Sequence, residues 1–313
     1  MKAKTIRYRE RGGLDLIEIE VPEPGFGEVQ VKGSVCGICA WDLNTYRQGT
    51  AAGYAAPPGH EGIGTVVKVG PGVEGWAEGD RVVGGGFATL ANLKAANLYK
   101  LPPSSLPDEY WMVEPVSCAV TGVDHCQLRL GDRVAVVGCG FMGLLIVQCL
   151  GRSFAEQVIA FDVDPARLAL ALELGATEAY NPMSSGFEAI VEEIKARGID
   201  TVVDASGAAS GFALSNRLVR RGGRINLFGW IHGSVTFSGD FWHTDGITVV
   251  NSSPAARLRD PFPVAIRLIH SGRVTLDRLV THVVPLEEMD TLLANVTSGR
   301  EKGYIKGVVR LAH

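Results

Sequence analysis

The sequence predicts an α/β protein in which a strand-rich domain is joined to a doubly wound parallel sheet, and three observations carry that prediction. The first 115 or so residues are rich in Gly and Pro and hold short β-branched runs with period-two alternation. From about residue 130, short apolar runs alternate with helical stretches, the pattern of a parallel sheet covered on both faces. A G-x-G-x-x-G run stands at the first of these strand-to-helix junctions. At 313 residues the chain also exceeds the ~100–200 residues of one ordinary domain, so two domains are expected.

In chain order, 28–32 and 64–69 read as strands of the first domain. The parallel sheet is expected from 133–137, 157–161, 200–203, 224–228 and 247–250. After about 254 the chain returns to mixed short elements, ending in the β-branched run 304–310. No low-complexity stretch or repeat of 20–50 residues interrupts this order.

With 46% hydrophobic and 20% charged residues and a net charge of −4, the composition is that of an ordinary globular protein. No block of Lys and Arg offers a footprint for phosphate, so neither nucleic acid nor an anionic membrane is an expected partner. The N-terminal residues lack the apolar stretch of a signal peptide, and a cytoplasmic location is the expectation. Six unevenly spaced cysteines argue for free thiols or metal ligands rather than a disulfide scaffold.

In the glycine run, Gly138 permits a tight turn, Gly140 lets the backbone approach a pyrophosphate, and Gly143 allows a helix to pack closely on its strand. The following helix N-terminus attracts phosphates. Alone the motif also describes a glycine turn without a ligand. Asp162 strengthens it, because it ends the next strand 19 residues after Gly143 (162 − 143). A carboxylate there accepts hydrogen bonds from ribose hydroxyls and repels a 2′-phosphate, which favours NAD over NADP. Asp164 reads as a helix-start charge, and Arg167 either as a cover for the adenine or as a solvated charge.

A second chemistry is suggested by Cys39, His60 and Glu61, with Glu114 further on. Thiolate, imidazole and carboxylate are all zinc ligands, and a catalytic zinc needs about three protein ligands and an open position. Spacing alone leaves alternatives: Cys36 and Cys39 form a C-x-x-C that elsewhere is a redox pair, and a lone His60 also suits a core.

The order of motifs is more telling than any one of them. Gly37-Ile-Cys39 with Asp42, Gly59-His60-Glu61, Gly79-Asp-Arg-Val82, Glu114-Pro115 and the glycine run resemble the zinc-containing medium-chain dehydrogenases, nearest the sorbitol and polyol branch. The resemblance implies a GroES-like β-rich catalytic domain built from both ends of the chain around a Rossmann domain. The expected boundaries are 1–116 for the first catalytic part, 117–254 for the Rossmann domain and 255–313 for the return. It also implies that Cys39, His60 and Glu61 bind a catalytic zinc, with Glu114 peripheral or exchanging with water. Zinc (+2) with a thiolate, a neutral imidazole and one carboxylate sums to zero, and a second bound carboxylate would leave the site negative. Cys36 is then a small buried residue, and Asp42 a group that orients a ligand. The expected NAD contacts are Gly138, Gly140, Phe141, Met142, Gly143, Asp162, Arg167, Ser206, Phe228, Gly229 and Ser252.

The implied reaction is Lewis-acid assisted hydride transfer between a secondary alcohol or ketone of sugar, polyol or cyclitol type and NAD. A homodimer or homotetramer paired through the strand near 247–250 is the implied assembly.

Two departures stand out. The cysteine-free stretch 83–100 is too short for the four-cysteine lobe that binds a structural zinc, so one zinc per chain is expected. Trp41 occupies the position where many relatives carry Ser or Thr, and Asn44 one where His is frequent. Without that hydroxyl, Thr45, Tyr46, Glu114 or a zinc-bound water become the candidates to carry the alcohol proton through a chain of waters. The rival readings are a zinc-free quinone or enone reductase, which loss of the three ligands would have signalled, and an inactive NAD-binding regulatory protein.

Overall fold

The computed structural model describes residues 1–52, 58–231, 233–237, 239–253 and 256–311. The chain forms two compact units, Met1–Glu114 with Thr275–His313, and Pro115–Val274. The first unit opens with a hairpin of β1 (Lys2–Tyr8) and β2 (Leu14–Glu20). There follow β3 (Glu28–Gly37), α1 (Ala40–Gln48), β4 (Glu61–Val69), β5 (Arg81–Val83), β6 (Leu90–Lys94) and β7 (Tyr99–Lys100).

Helix α2 (Val113–Cys126) leads into the second unit and its strands β8 (Arg133–Val137), β9 (Gln157–Phe161), β10 (Glu178–Tyr180), β11 (Ile199–Asp204), β12 (Val219–Leu227) and β13 (Thr248–Asn251). Between and after them run α3 (Phe141–Leu150), α4 (Pro165–Leu174), α5 (Phe187–Arg197), α6 (Ala209–Leu218), α7 (Gly239–Asp245) and α8 (Phe262–His270). The chain then returns to the first unit with β14 (Val280–Pro285), α9 (Met289–Thr297) and β15 (Lys306–Arg310).

The second unit's sheet is parallel, in the order β10-β9-β8-β11-β12-β13. Counted within the unit this is 3-2-1-4-5-6, the Rossmann arrangement, whose strand order reverses beside β8 and opens a crevice at the strand ends. Its core joins Ala135, Ile159, Phe161, Val202 and Ile225 of the sheet to Val191, Ile194 and Leu218 of the helices. Burial of Leu144, Leu145, Ile146, Val147 and Leu150 explains why α3 is apolar on all sides. The first unit is the GroES-like domain, with the strand path β14-β15-β3-β4-β5-β7 and β6 added on β3.

The units change over at Glu114/Pro115 and Val274/Thr275, so the return comes about 20 residues later than the expected 255. The reason is α8. Val264 and Leu268 share a cavity of about 200 Å³ with Val120 and Val123 of α2. Just before α8, Arg259 grips both carboxylate oxygens of Asp124 at 2.7 Å. Just after it, Arg273 donates to the Arg152 carbonyl at 2.8 Å. The last parallel strand therefore does not close the unit, because one more amphipathic helix packs beside α2. Among the described residues no helix is long and apolar enough to cross a membrane.

Candidate metal centre and dinucleotide site

Strand register assembles the metal candidates in the first unit. Gly37 lies opposite Glu61 across β3 and β4 and opposite Val308 across β3 and β15, so the ends of three adjacent strands meet. Cys39 is the N-cap of α1, with extended backbone. The Asp42 carboxylate accepts from the Cys39 amide at 2.8 Å and, through its other oxygen, from the Tyr8 hydroxyl at 3.0 Å. Asp42 thus orients the residue that carries the thiol. His60 directly precedes β4 and is exposed, while Glu61 is buried.

One donor atom each from Cys39, His60 and Glu61 lies within 4.8 Å of the others. Zinc bonds of about 2.0–2.3 Å place tetrahedral donors somewhat under 4 Å apart, a closure within reach of small side-chain rotations. Burial, and then the Glu61 carboxylate, push the Cys39 thiol up to about 12. A thiolate there calls for added positive charge, and a divalent cation provides it. These residues fit a zinc ion.

Lys306 is the group that sequence reasoning missed. It is 3% exposed, its Nζ stands 2.5 Å from Glu61 Oε2, and it donates to the Ile38 carbonyl at 2.8 Å. Burial alone would favour the neutral amine, but the negative charge of Glu61 and Cys39 outweighs it and raises the Lys306 pKa above the usual lysine value. A lysine opening the terminal strand ahead of Gly307, Val308 and Val309 was the available signal.

Three other candidates stand apart from this group. Glu114 lies in the first turn of α2, half-buried, and does not join the three donors. The Thr45 hydroxyl, in a buried residue, donates to the Trp41 carbonyl at 2.9 Å. The Tyr46 hydroxyl donates to the Asp290 carboxylate of α9 at 3.0 Å. Both hydroxyls have acceptors within the first unit: a helical Thr hydroxyl bonds readily to the carbonyl one turn back, and α9 brings a carboxylate to Tyr46. Cys36 is fully buried and forms no disulfide with Cys39.

In the second unit, each glycine of the run has its own geometry. Gly138 has φ +94°, and a Cβ there would lie 2.7 Å from the Ser206 Cα. A Cβ on Gly143 would overlap the Gly138 carbonyl oxygen. Gly140 caps α3, and a Cβ there would meet open space. Room in front of a helix N-terminus is what an approaching pyrophosphate requires.

Gly138, Gly140, Asp162, Arg167 and Ser206 line one cavity of about 550 Å³. Arg167 stands 3.7 Å from Asp164, which caps α4 through the Ala166 amide. Ser206 donates to the buried Asp204 at 2.6 Å. Phe141, Met142 and Gly143 occupy the first turn of α3. Phe228 packs over Gly122 of α2, and the Ser252 hydroxyl donates to Asn226 at 2.5 Å. Gly229 lies against Gly207, so Phe228, Gly229 and Ser252 are not part of that cavity wall.

Comparison with known proteins agrees with both halves. Residues 25–103 match the alcohol dehydrogenase GroES-like domain and residues 142–271 the zinc-binding dehydrogenase domain. D-arabinitol dehydrogenase 1 of Uromyces fabae is 30% identical, over 94% of each chain. The crystal structure of 2R,3R-butanediol dehydrogenase from Bacillus subtilis superposes with a TM-score of 0.86 at 27% identity, over 98% of this chain and 99% of that one. An alcohol dehydrogenase from Escherichia coli CFT073, solved with NADH, does so with 0.88 at 26% identity, over 99% of each. Fold, motif order and relatives agree, and the chain belongs to the zinc-type medium-chain dehydrogenase/reductase family, the alcohol dehydrogenase superfamily.

Proposed function

We propose that this chain is a zinc-dependent dehydrogenase that transfers hydride between a secondary alcohol of sugar, polyol or cyclitol type and NAD. The observation that carries the reading is the convergence of Cys39, His60 and Glu61 donors within 4.8 Å, on a chain of this family. The relatives act on an alditol and a diol by name, which supports a polyhydroxylated or vicinal substrate.

Zinc held by Cys39, His60 and Glu61 would supply a Lewis acid that favours the deprotonated form of the alcohol. Asp42 steadies Cys39, and Lys306 offsets the Glu61 charge. In the other unit, the helix start at Gly140 would hold the dinucleotide phosphates, and Asp162 would favour a free ribose hydroxyl. Glu114, Tyr46 and Thr45 are the proposed candidates to carry the alcohol proton through waters, with Glu114 not among the three convergent donors. One zinc per chain is proposed from the cysteine-free stretch 83–100, and a dimer or tetramer from the position of β13 at the edge of its sheet.

Metal analysis of protein purified with zinc present, with a screen of polyols and other secondary alcohols against NAD and NADP, tests this reading. The expected result is about one zinc per chain and NAD-linked oxidation of a polyol. No zinc, or no alcohol-dependent reduction of either cofactor, would overturn it.

A further inference from the structure

Glu61 has an unusual seat for a metal ligand. It lies directly across from Gly37, and its carboxylate covers the Gly37 Cα: a Cβ on Gly37 would overlap Glu61 Oε2, sit 3.1 Å from Glu61 Cδ and 2.9 Å from Met112 Sδ. On its other side the same Oε2 meets the Lys306 ammonium at 2.5 Å. That ammonium also holds the Ile38 carbonyl, one residue before Cys39. A single buried cation therefore joins the segment that carries the thiol to the carboxylate. A buried lysine is tolerated only with such partners, and here they include one candidate ligand and the backbone next to another.

We propose that Gly37 and Lys306 are positioning residues of the metal centre: they hold the Glu61 carboxylate with Oε2 on the Lys306 ammonium, leaving Oε1 as the single oxygen for the metal. Gly37 provides the space in which the carboxylate lies flat on the sheet. Lys306 occupies the oxygen that would otherwise close on the metal as a second donor and fill the position meant for substrate. The inference rests on the zinc reading above and adds how its carboxylate ligand is kept to one oxygen.

The test uses the full chain and the metals alone, zinc and then cobalt(II), whose visible bands lose intensity as coordination rises above four. Zinc affinity is measured by competition with a chelator, and circular dichroism checks the fold. In Lys306→Met the cobalt bands should weaken, and in Lys306→Arg they should return to the intensity of the unaltered protein. In Gly37→Ala zinc affinity should fall ~10–100-fold, as for other groups that orient metal ligands. Gly37→Ala keeps both buried charges while displacing Oε2, and it carries the test should Lys306→Met not fold. A cobalt spectrum unchanged in Lys306→Met, or unchanged zinc affinity in a folded Gly37→Ala, would overturn the proposal. Failure of the unaltered chain to take up zinc or cobalt would instead overturn the zinc reading.

Discussion

The Asp162 carboxylate accepts a hydrogen bond from the Cys139 amide at 2.6 Å, tying the end of β9 to the middle of the glycine run. Its second oxygen accepts from the Asp164 amide at 2.9 Å. Replacing Asp162 with Ser should therefore act twice, loosening the loop and removing the repulsion of a 2′-phosphate. NAD affinity is expected to fall ~10-fold or more, as for loss of a charge-assisted hydrogen bond, while the NAD to NADP ratio moves toward one. Fluorescence titration with both reduced cofactors measures this; an unchanged ratio would remove Asp162 from the selectivity.

Gly140 and Gly143 make a discriminating pair, because one faces open space and the other the Gly138 carbonyl. Gly143→Ala should destabilise the chain by about 1–3 kcal/mol, the usual result of overpacking. Gly140→Ala should leave unfolding within about 0.5 kcal/mol of the unaltered protein. Its cofactor affinity should nonetheless weaken ~10-fold, the equivalent of about 1.4 kcal/mol. Denaturant unfolding beside cofactor titration separates the two, and equal losses of stability would contradict the geometry.

Tyr46 links α1 to α9 through Asp290, and burial together with this carboxylate pushes its phenol up to about 12. Tyr46→Phe should lower unfolding free energy by about 1 kcal/mol, the net worth of an ordinary hydrogen bond. Chemical denaturation at neutral pH reads the change. A variant as stable as the unaltered chain would mean that the bond contributes nothing.

Arg197 pairs with Glu178 through its two terminal guanidinium nitrogens, at 2.6 and 2.9 Å. The hydrogen bonds from Arg197 hold the Glu178 carboxyl below its usual value of 4.5. A depressed carboxyl stabilises the fold above its unfolded pKa, and that contribution is lost as pH falls through the folded pKa. Glu178→Gln should therefore cost about 1 kcal/mol at pH 7, and the gap should close on acidification below the folded pKa. A gap independent of pH would show that charge is not its source.

Local patterns made much of this fold legible. The runs 133–137 and 157–161 coincide with β8 and β9, because both strands are buried on both faces and read as unbroken apolar stretches. Strand β10 has three half-buried residues and offers no such run. Cys39, His60 and Glu61 were visible because the motif keeps them in two short segments. Lys306 was not: it lies 245 residues from Glu61 (306 − 61), and only the register of β15, β3 and β4 brings the two together. Which acceptors face the hydroxyls of Thr45 and Tyr46 was likewise not legible, because a sequence does not show the carbonyl of Trp41 or the carboxylate of Asp290 beside them.

The GroES-like sheet places β15 beside β3, and the bond from Lys306 to the Ile38 carbonyl spans 268 residues. During synthesis the residues of the second unit, 115–274, emerge as one uninterrupted stretch and can fold as they leave the ribosome. The first unit must hold β3 without β15 beside it until the final strand has been made. Until then the Glu61 carboxylate has no cation beside it, and β3 shows an open edge. Nascent chains stalled before residue 306 should therefore carry a native-like nucleotide fold and an immature metal centre, with the exposed edge a target for chaperones.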